Sequence, residues 1–133
     1  MTIKKVIRKL RENLNEAEED FLNYVEEELE SFNITYLNSQ RFIDKLNKIS
    51  VNYFKKNQLN ETLMYHYYLK IGIKFKIVLK EVEWSNTDIL QLFNKELSTL
   101  DSVEKSIVVD KDVEPIIRNN GFYLLLFILK IIN

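Results

Sequence analysis

The sequence predicts an all-α fold, a compact helical bundle led by a long N-terminal amphipathic helix. Three observations carry that prediction. Apolar residues recur at helical spacing through most of the chain, polar clusters interrupt them, and the 133 residues include only two Gly and one Pro. An antiparallel sheet needs tight turns built on Gly, Pro, Asn or Asp. A chain this poor in Gly and Pro is expected to bury its apolar side chains by packing helices.

The first element begins at Ile3. Ile3, Ile7, Leu10, Leu14, Ala17, Phe21 and Tyr24 alternate steps of four and three residues, the seam of an amphipathic helix that runs on less regularly to Leu29 and Phe32. The same heptad spacing offers residues 3–24 as the seam of a homodimer. A polar break at Asn38-Ser39 follows, with Ser39 as N-cap, and Phe42, Leu46, Ile49 and Tyr53 mark a second helix. Gln58-Leu59-Asn60 reads as the next connection.

Residues 69–79 support two readings. Leu69-Lys70-Ile71-Gly72-Ile73-Lys74-Phe75-Lys76-Ile77 alternates as a strand does, and Gly72 weakens a helix. At 3.6 residues per turn, however, Tyr68, Ile71, Phe75, Val78, Leu79 and Val82 form one stripe. Ser85-Asn86-Thr87-Asp88 then opens a helix with Ile89, Leu92, Phe93, Leu97 and Leu100 on one face. Asp110-Lys111-Asp112-Val113-Glu114-Pro115 opens another, with acids at the positive end of the helix dipole. Phe122 to Ile132 is apolar without a period, a buried helix or a buried strand, and Asn120-Gly121 before it fits a hairpin turn. The alternative to the bundle is therefore an α+β fold with strands at about 69–79 and 122–131. The scarcity of chain-reversing residues favours helices.

Composition sets further bounds. A chain of 133 residues that is 46% hydrophobic forms one domain, residues 1–133, with a core that needs no metal or disulfide. The basic residues near the N-terminus alternate with single apolar ones, so no signal peptide is expected. The longest apolar run, Phe122 to Leu129, is too short to span a bilayer. With no Cys, the chain suits a reducing compartment, and a cytoplasmic location is expected. Low Gly with abundant Lys, Asn and Ile is the composition of an AT-rich genome, such as that of a virus, a phage or a low-GC microbe.

No catalytic constellation is visible. No Ser lies in a Gly-x-Ser-x-Gly elbow, and two glycines at 72 and 121 cannot build a phosphate-cradling loop. The lone histidine, His66, sits in Met64-Tyr65-His66-Tyr67-Tyr68. It fits a half-buried aromatic neighbour better than a general base, which needs a partner to orient the ring. Asp110, Asp112 and Glu114 alternate, but an EF-hand needs Gly at its sixth position and Glu at its twelfth, where this chain has Pro115 and Gly121. With one His and no Cys, no zinc site is expected. No enzyme activity, cofactor or metal is expected.

The near-neutral net charge of -1 hides strong segregation. Residues 1–11 carry bases only, 12–30 acids only, and 41–80 mostly bases. Segregated charge on a folded surface steers partner choice. A protein partner is therefore expected, met through the acidic face of Glu26, Glu27 and Glu30 and the aromatics Tyr65, Tyr67 and Tyr68. The alternative is a nucleic acid, with Lys55, Lys56, Lys70, Lys74, Lys76 and Lys80 on phosphates and the tyrosines stacked on bases. An isoelectric point near 5.9 argues against that alternative.

Two stretches resemble motifs of the viral-type Bcl-2-like helical bundles. Leu14-Asn15-Glu16-Ala17-Glu18-Glu19-Asp20-Phe21 resembles their BH3 helix in its Leu, Ala, acid and Phe, with Glu18 where the family keeps a small residue. Glu114-Pro115-Ile116-Ile117-Arg118-Asn119-Asn120-Gly121 resembles the start of their BH2 region, without the aromatic after Pro. The resemblance implies an all-α bundle and capture of an amphipathic helix in an apolar groove.

Overall fold

In the structure, a computed structural model that describes residues 2–31, 39–85, 88 and 120–132, the N-terminal apolar seam is cut in two at Leu14-Asn15. Helix α1 spans Ile3–Asn13 and α2 spans Glu16–Glu30. Asn15 is extended (φ -78°, ψ 171°), and its side chain accepts from the Glu18 N–H at 2.8 Å. The Glu18 carboxylate accepts from the Asn15 N–H at 2.9 Å in return. This reciprocal capping box satisfies two amides that a helix start leaves open, so a new helix begins where the heptad pattern reads straight through. The buried positions change phase across the break. Ile3, Val6, Ile7 and Leu10 face inward in α1; Glu18, Phe21, Leu22, Val25 and Leu29 do so in α2, while Ala17 is exposed. The expected single long helix is thus two. Ile3, Ile7, Leu10 and Phe21 are buried in the chain's own core, which leaves no free seam for the expected homodimer.

Helix α3 spans Ser39–Lys56 and buries Phe42, Leu46 and Ile49, with Tyr53 half-buried. It ends at Gln58, whose φ of 56° is left-handed; Leu59 N–H returns to Phe54 O at 2.8 Å and Gln58 N–H to Lys55 O at 3.2 Å. That paired closure is a Schellman motif, here built without glycine. Asn60 caps a short 3-10 turn, Glu61–Leu63, which leads into α4, Met64–Glu81. Helix α4 closes in the same way at Glu83, φ 58°, with Trp84 N–H on Leu79 O at 2.8 Å.

Residues 69–79 are therefore helix, as is the apolar tail, α5, Gly121–Ile132. Among the described residues there is no strand, which removes the α+β alternative. Asn120 is no hairpin turn: its Oδ1 accepts from Phe122 N–H at 3.0 Å and Tyr123 N–H at 3.1 Å and so caps α5. Helix α5 lacks an apolar period because almost its whole circumference is buried, from Phe122 and Leu124 through Leu129. It packs most extensively on α4 and also on α2; α3 lies on α2, and α1 on α4.

Aromatic rings fill the junction of these helices. Phe21 contacts Tyr53, Phe54, Tyr67, Tyr68 and Phe122 with centroids 5.2–6.1 Å apart, and Tyr68 stacks on Phe122 at 4.3 Å. Ser85 and Asp88 cap each other, as expected for a helix start, with Ser85 N–H on Asp88 Oδ2 at 2.7 Å. That bond, with the Ser85 hydroxyl, holds the Asp88 carboxyl below its ordinary pKa. The helices expected from Ile89 and from Asp110, and all but the end of the BH2-like stretch, lie outside the described residues.

Candidate functional site

Helix α4 carries two apolar stripes. The buried one is the expected Tyr68, Ile71, Phe75, Val78 and Leu79. The other faces outward: Tyr65 is 63% exposed, Leu69 60%, Ile73 50% and Ile77 50%. These four recur every fourth residue, so they lie one per turn along one side of the helix. Because each is about half exposed, leaving them so forgoes roughly 1 kcal/mol each relative to full burial. Lys76 and Lys80 lie among them, and His66 and Lys70 border them, all exposed.

Beside this stripe runs a groove of about 710 Å³ between α4 and the start of α5, lined by Tyr65, Tyr68, Leu69, Ile73, Lys76, Ile77, Lys80 and Tyr123 with Gly72 and Gly121 at its base. The groove is rigidly floored. Tyr68 and Tyr123 both donate to Asn47 Oδ1, at 3.0 and 3.3 Å. Burial pushes both hydroxyls above the ordinary tyrosine pKa, so both remain donors at neutral pH.

A second hollow, about 370 Å³, lies across α4 from the groove, lined by Asn15, Glu18, Leu63, His66, Tyr67 and Lys70. Glu18 is 1% exposed, and its Oε1 takes Lys74 Nζ at 2.5 Å. His66 and a carboxylate do share this hollow, yet no hydrogen bond orients the imidazole among the described residues. A third hollow, about 420 Å³, is formed by Glu26, Leu29, Glu30, Leu126, Leu129 and Lys130. There Lys130 Nζ donates to Leu29 O at 2.7 Å, closing the C-terminus of α2. Burial lowers the Lys130 pKa, and Glu30 opposes that shift.

The expected partner residues do not assemble. Glu26 and Glu30 lie at the C-terminal end of α5, and Tyr65 and Tyr68 at its N-terminal end. Nine residues of helix, roughly 14 Å, separate the two groups. Glu26 is paired with Arg11, and Glu27 is exposed. Tyr68 is only 4% exposed and Tyr67, half-buried, packs on Phe21 and Phe54 beside the second hollow, so of the three tyrosines Tyr65 alone stands on the outer stripe. The lysines also divide. Lys55 pairs loosely with Glu61 at 4.0 Å, Lys56 lies 5.9 Å over the Tyr24 ring, Lys74 is held by Glu18, Lys70 lines the second hollow, and Lys76 and Lys80 line the groove.

Leu69, Ile73 and Ile77 are the residues that sequence reasoning missed. Their signal was the strand-like alternation itself: in 69–77 the odd positions fall in turn on the outer and the inner stripe of one helix.

Among the described residues no three His, Asp or Glu side chains cluster as metal ligands, and no helix is long and apolar enough to cross a membrane. The described residues thus define an all-α domain with an apolar and basic helix face. No protein-family model, curated protein or solved structure matches the chain.

Proposed function

We propose that this protein is a non-enzymatic protein-interaction module whose contact surface is the outer face of α4 and the groove beside it. The stripe of Tyr65, Leu69, Ile73 and Ile77 carries the reading. A contiguous apolar strip left in water is what a partner covers, and aromatic and aliphatic anchors beside a groove are the usual centre of such contacts.

The chemistry of the face narrows the partner. Every backbone group in the middle of α4 is bonded within the helix, so an incoming chain finds no strand edge to pair with. It must satisfy its own backbone, which an α-helix does. Lys76 and Lys80 line the groove, and no acid is among the described residues that line it, so the complementary helix carries carboxylates beside its apolar residues. The resemblance to Bcl-2-like bundles implies the same mode of capture and adds no residue to this surface.

The nucleic-acid reading shares Lys76, Lys80 and Tyr65. Phosphates give no reason for Leu69, Ile73 and Ile77 to stand between the cations, Tyr68 is buried, and Tyr67 is half-buried against Phe21 and Phe54. The two readings separate with one variant. Ile73→Asp should abolish capture of a specific protein from cell lysate while leaving the helical circular dichroism unchanged. A gel shift of single-stranded DNA or RNA that weakens steeply with salt and survives Ile73→Asp would replace the protein-binding reading.

A further inference from the structure

Every large apolar side chain that stands exposed among the described residues lies between Leu59 and Ile77. Four of them make the outer stripe of α4, and that stripe is symmetric about its middle. Tyr65 and Leu69 precede the midpoint in steps of four, and Ile73 and Ile77 follow it in the same steps. The charges beyond the stripe are opposite in sign at its two ends. Glu61, one turn before Tyr65, is half exposed and only loosely paired with Lys55 at 4.0 Å. At the other end stand Lys76 and Lys80, while the acid there, Glu81, is taken by Lys9 at 3.4 Å. Glu61 lies ten positions before the midpoint and Lys80 nine positions after it. A helix with a symmetric apolar centre and ends of opposite charge is complementary to a copy of itself laid antiparallel.

Resting on the reading of this face as a protein-contact surface, we propose that its occupant is a second copy of the chain, the two α4 helices meeting antiparallel about a two-fold axis between Leu69 and Ile73. Leu69 then lies against Ile73 of the partner subunit, and Tyr65 against Ile77 of the partner subunit. Lys80 comes opposite Glu61 of the partner subunit, and the axis repeats that pair. With its lead-in, α4 is itself a helix that carries a carboxylate beside its apolar residues, as the groove requires. Like charges stay apart: the two Lys76 ammoniums are offset by roughly 15 Å along the helices, beyond the screening length of about 8 Å at physiological salt. The open parts of the four stripe residues amount to roughly 400 Å² per copy. With the stems of Lys76 and Lys80 laid beside them, two copies reach the ~1,000 Å² total of a small specific interface. This face is distinct from the heptad of residues 3–24, where Ile3, Ile7, Leu10 and Phe21 are buried in the core.

Sedimentation equilibrium of the full chain tests this directly. The mass should rise from 16.0 kDa toward twice that value, with the dimer half-formed at roughly 10–100 µM, as suits a contact of this size. Ile73→Asp, checked for unchanged helicity by circular dichroism, should remain at 16.0 kDa up to about 1 mM. Glu61→Lys and Lys80→Glu should each weaken the dimer roughly tenfold, since each removes a pair that the axis repeats, and the two combined should restore it. A wild-type chain that stays at 16.0 kDa up to about 1 mM would overturn the proposal. If Ile73→Asp nevertheless loses capture of another protein, the contact-surface reading stands and only self-association falls. A dimer that survives Ile73→Asp would overturn the proposal as well, by placing the interface elsewhere. Single charge variants whose loss is not recovered by the combined one would overturn the antiparallel order.

Discussion

Gly72 and Gly121 stand face to face where α4 crosses the start of α5. A Cβ built on Gly72 meets the Phe122 nitrogen at 2.8 Å, and one built on Gly121 meets the Gly72 carbonyl oxygen at 2.5 Å. Both obstacles are backbone, which cannot turn aside as a side chain can. Neither glycine has a positive φ, so it is the close approach of the helices that requires them. The contact also sets the base of the groove and allows Tyr68 to stack on Phe122.

Gly72→Ala or Gly121→Ala should therefore destabilise the protein by about 1–3 kcal/mol, even though alanine favours a helix by roughly 1 kcal/mol over glycine. The double variant should cost less than the sum, since the first methyl already parts the helices. Urea denaturation measures all three, and a stabilised single variant would refute the close crossing.

Ile71 and Ile73 are two residues apart and belong to opposite stripes. Ile71→Ala should cost about 2–5 kcal/mol, as a fully buried aliphatic does, whereas Ile73→Ala should stay within about 0.5 kcal/mol. Equal losses in thermal denaturation would mean that residues 69–79 are not placed as this helix places them.

Lys74→Met strands the buried Glu18 carboxylate. Loss of one partner from a fully buried pair costs roughly 3–5 kcal/mol. Because Lys74 is itself 34% exposed, about 2–3 kcal/mol is expected. Adding Glu18→Gln should recover most of it, since the neutral amide keeps the cap oxygen for Asn15. A double-mutant cycle with no coupling would exclude the pair as a stabilising contact.

Burial raises the Tyr68 pKa above its ordinary 10.0. Below that value the folded and unfolded chains both hold the neutral phenol, and stability does not depend on this group. Above it the unfolded chain releases the proton and the folded chain does not, so stability falls as pH rises. Tyr68→Phe should cost about 1 kcal/mol at pH 7, through the lost bond to Asn47, and should flatten the alkaline decline. Denaturation curves at neutral and alkaline pH check both; an unchanged slope would place the ionising group elsewhere.

Gln58 holds the left-handed position that ends α3, at φ 56°. A side chain there costs roughly 1–2 kcal/mol, partly offset by the freedom glycine adds to the unfolded chain. Gln58→Gly should stabilise the protein by about 0.5–1 kcal/mol, read as a higher melting temperature. A loss would show that the Gln58 side chain contributes a contact of its own.

Local pattern was enough for the helical class, the second helix and the inner stripe of α4, because 3.6-residue periodicity and polar breaks are properties of neighbouring residues. The break at Asn15 was legible too, in Asn15 followed three residues later by Glu18, but a heptad running across it concealed the cap. Tertiary structure alone decided the rest. Which apolar stripe of α4 meets α5 and which stays in water depends on how closely two glycines forty-nine positions apart allow the helices to approach. Whether an acid such as Glu18 is solvated or enclosed depends on a lysine fifty-six residues away. Burial is a relation between distant segments, and no spacing along one segment records it.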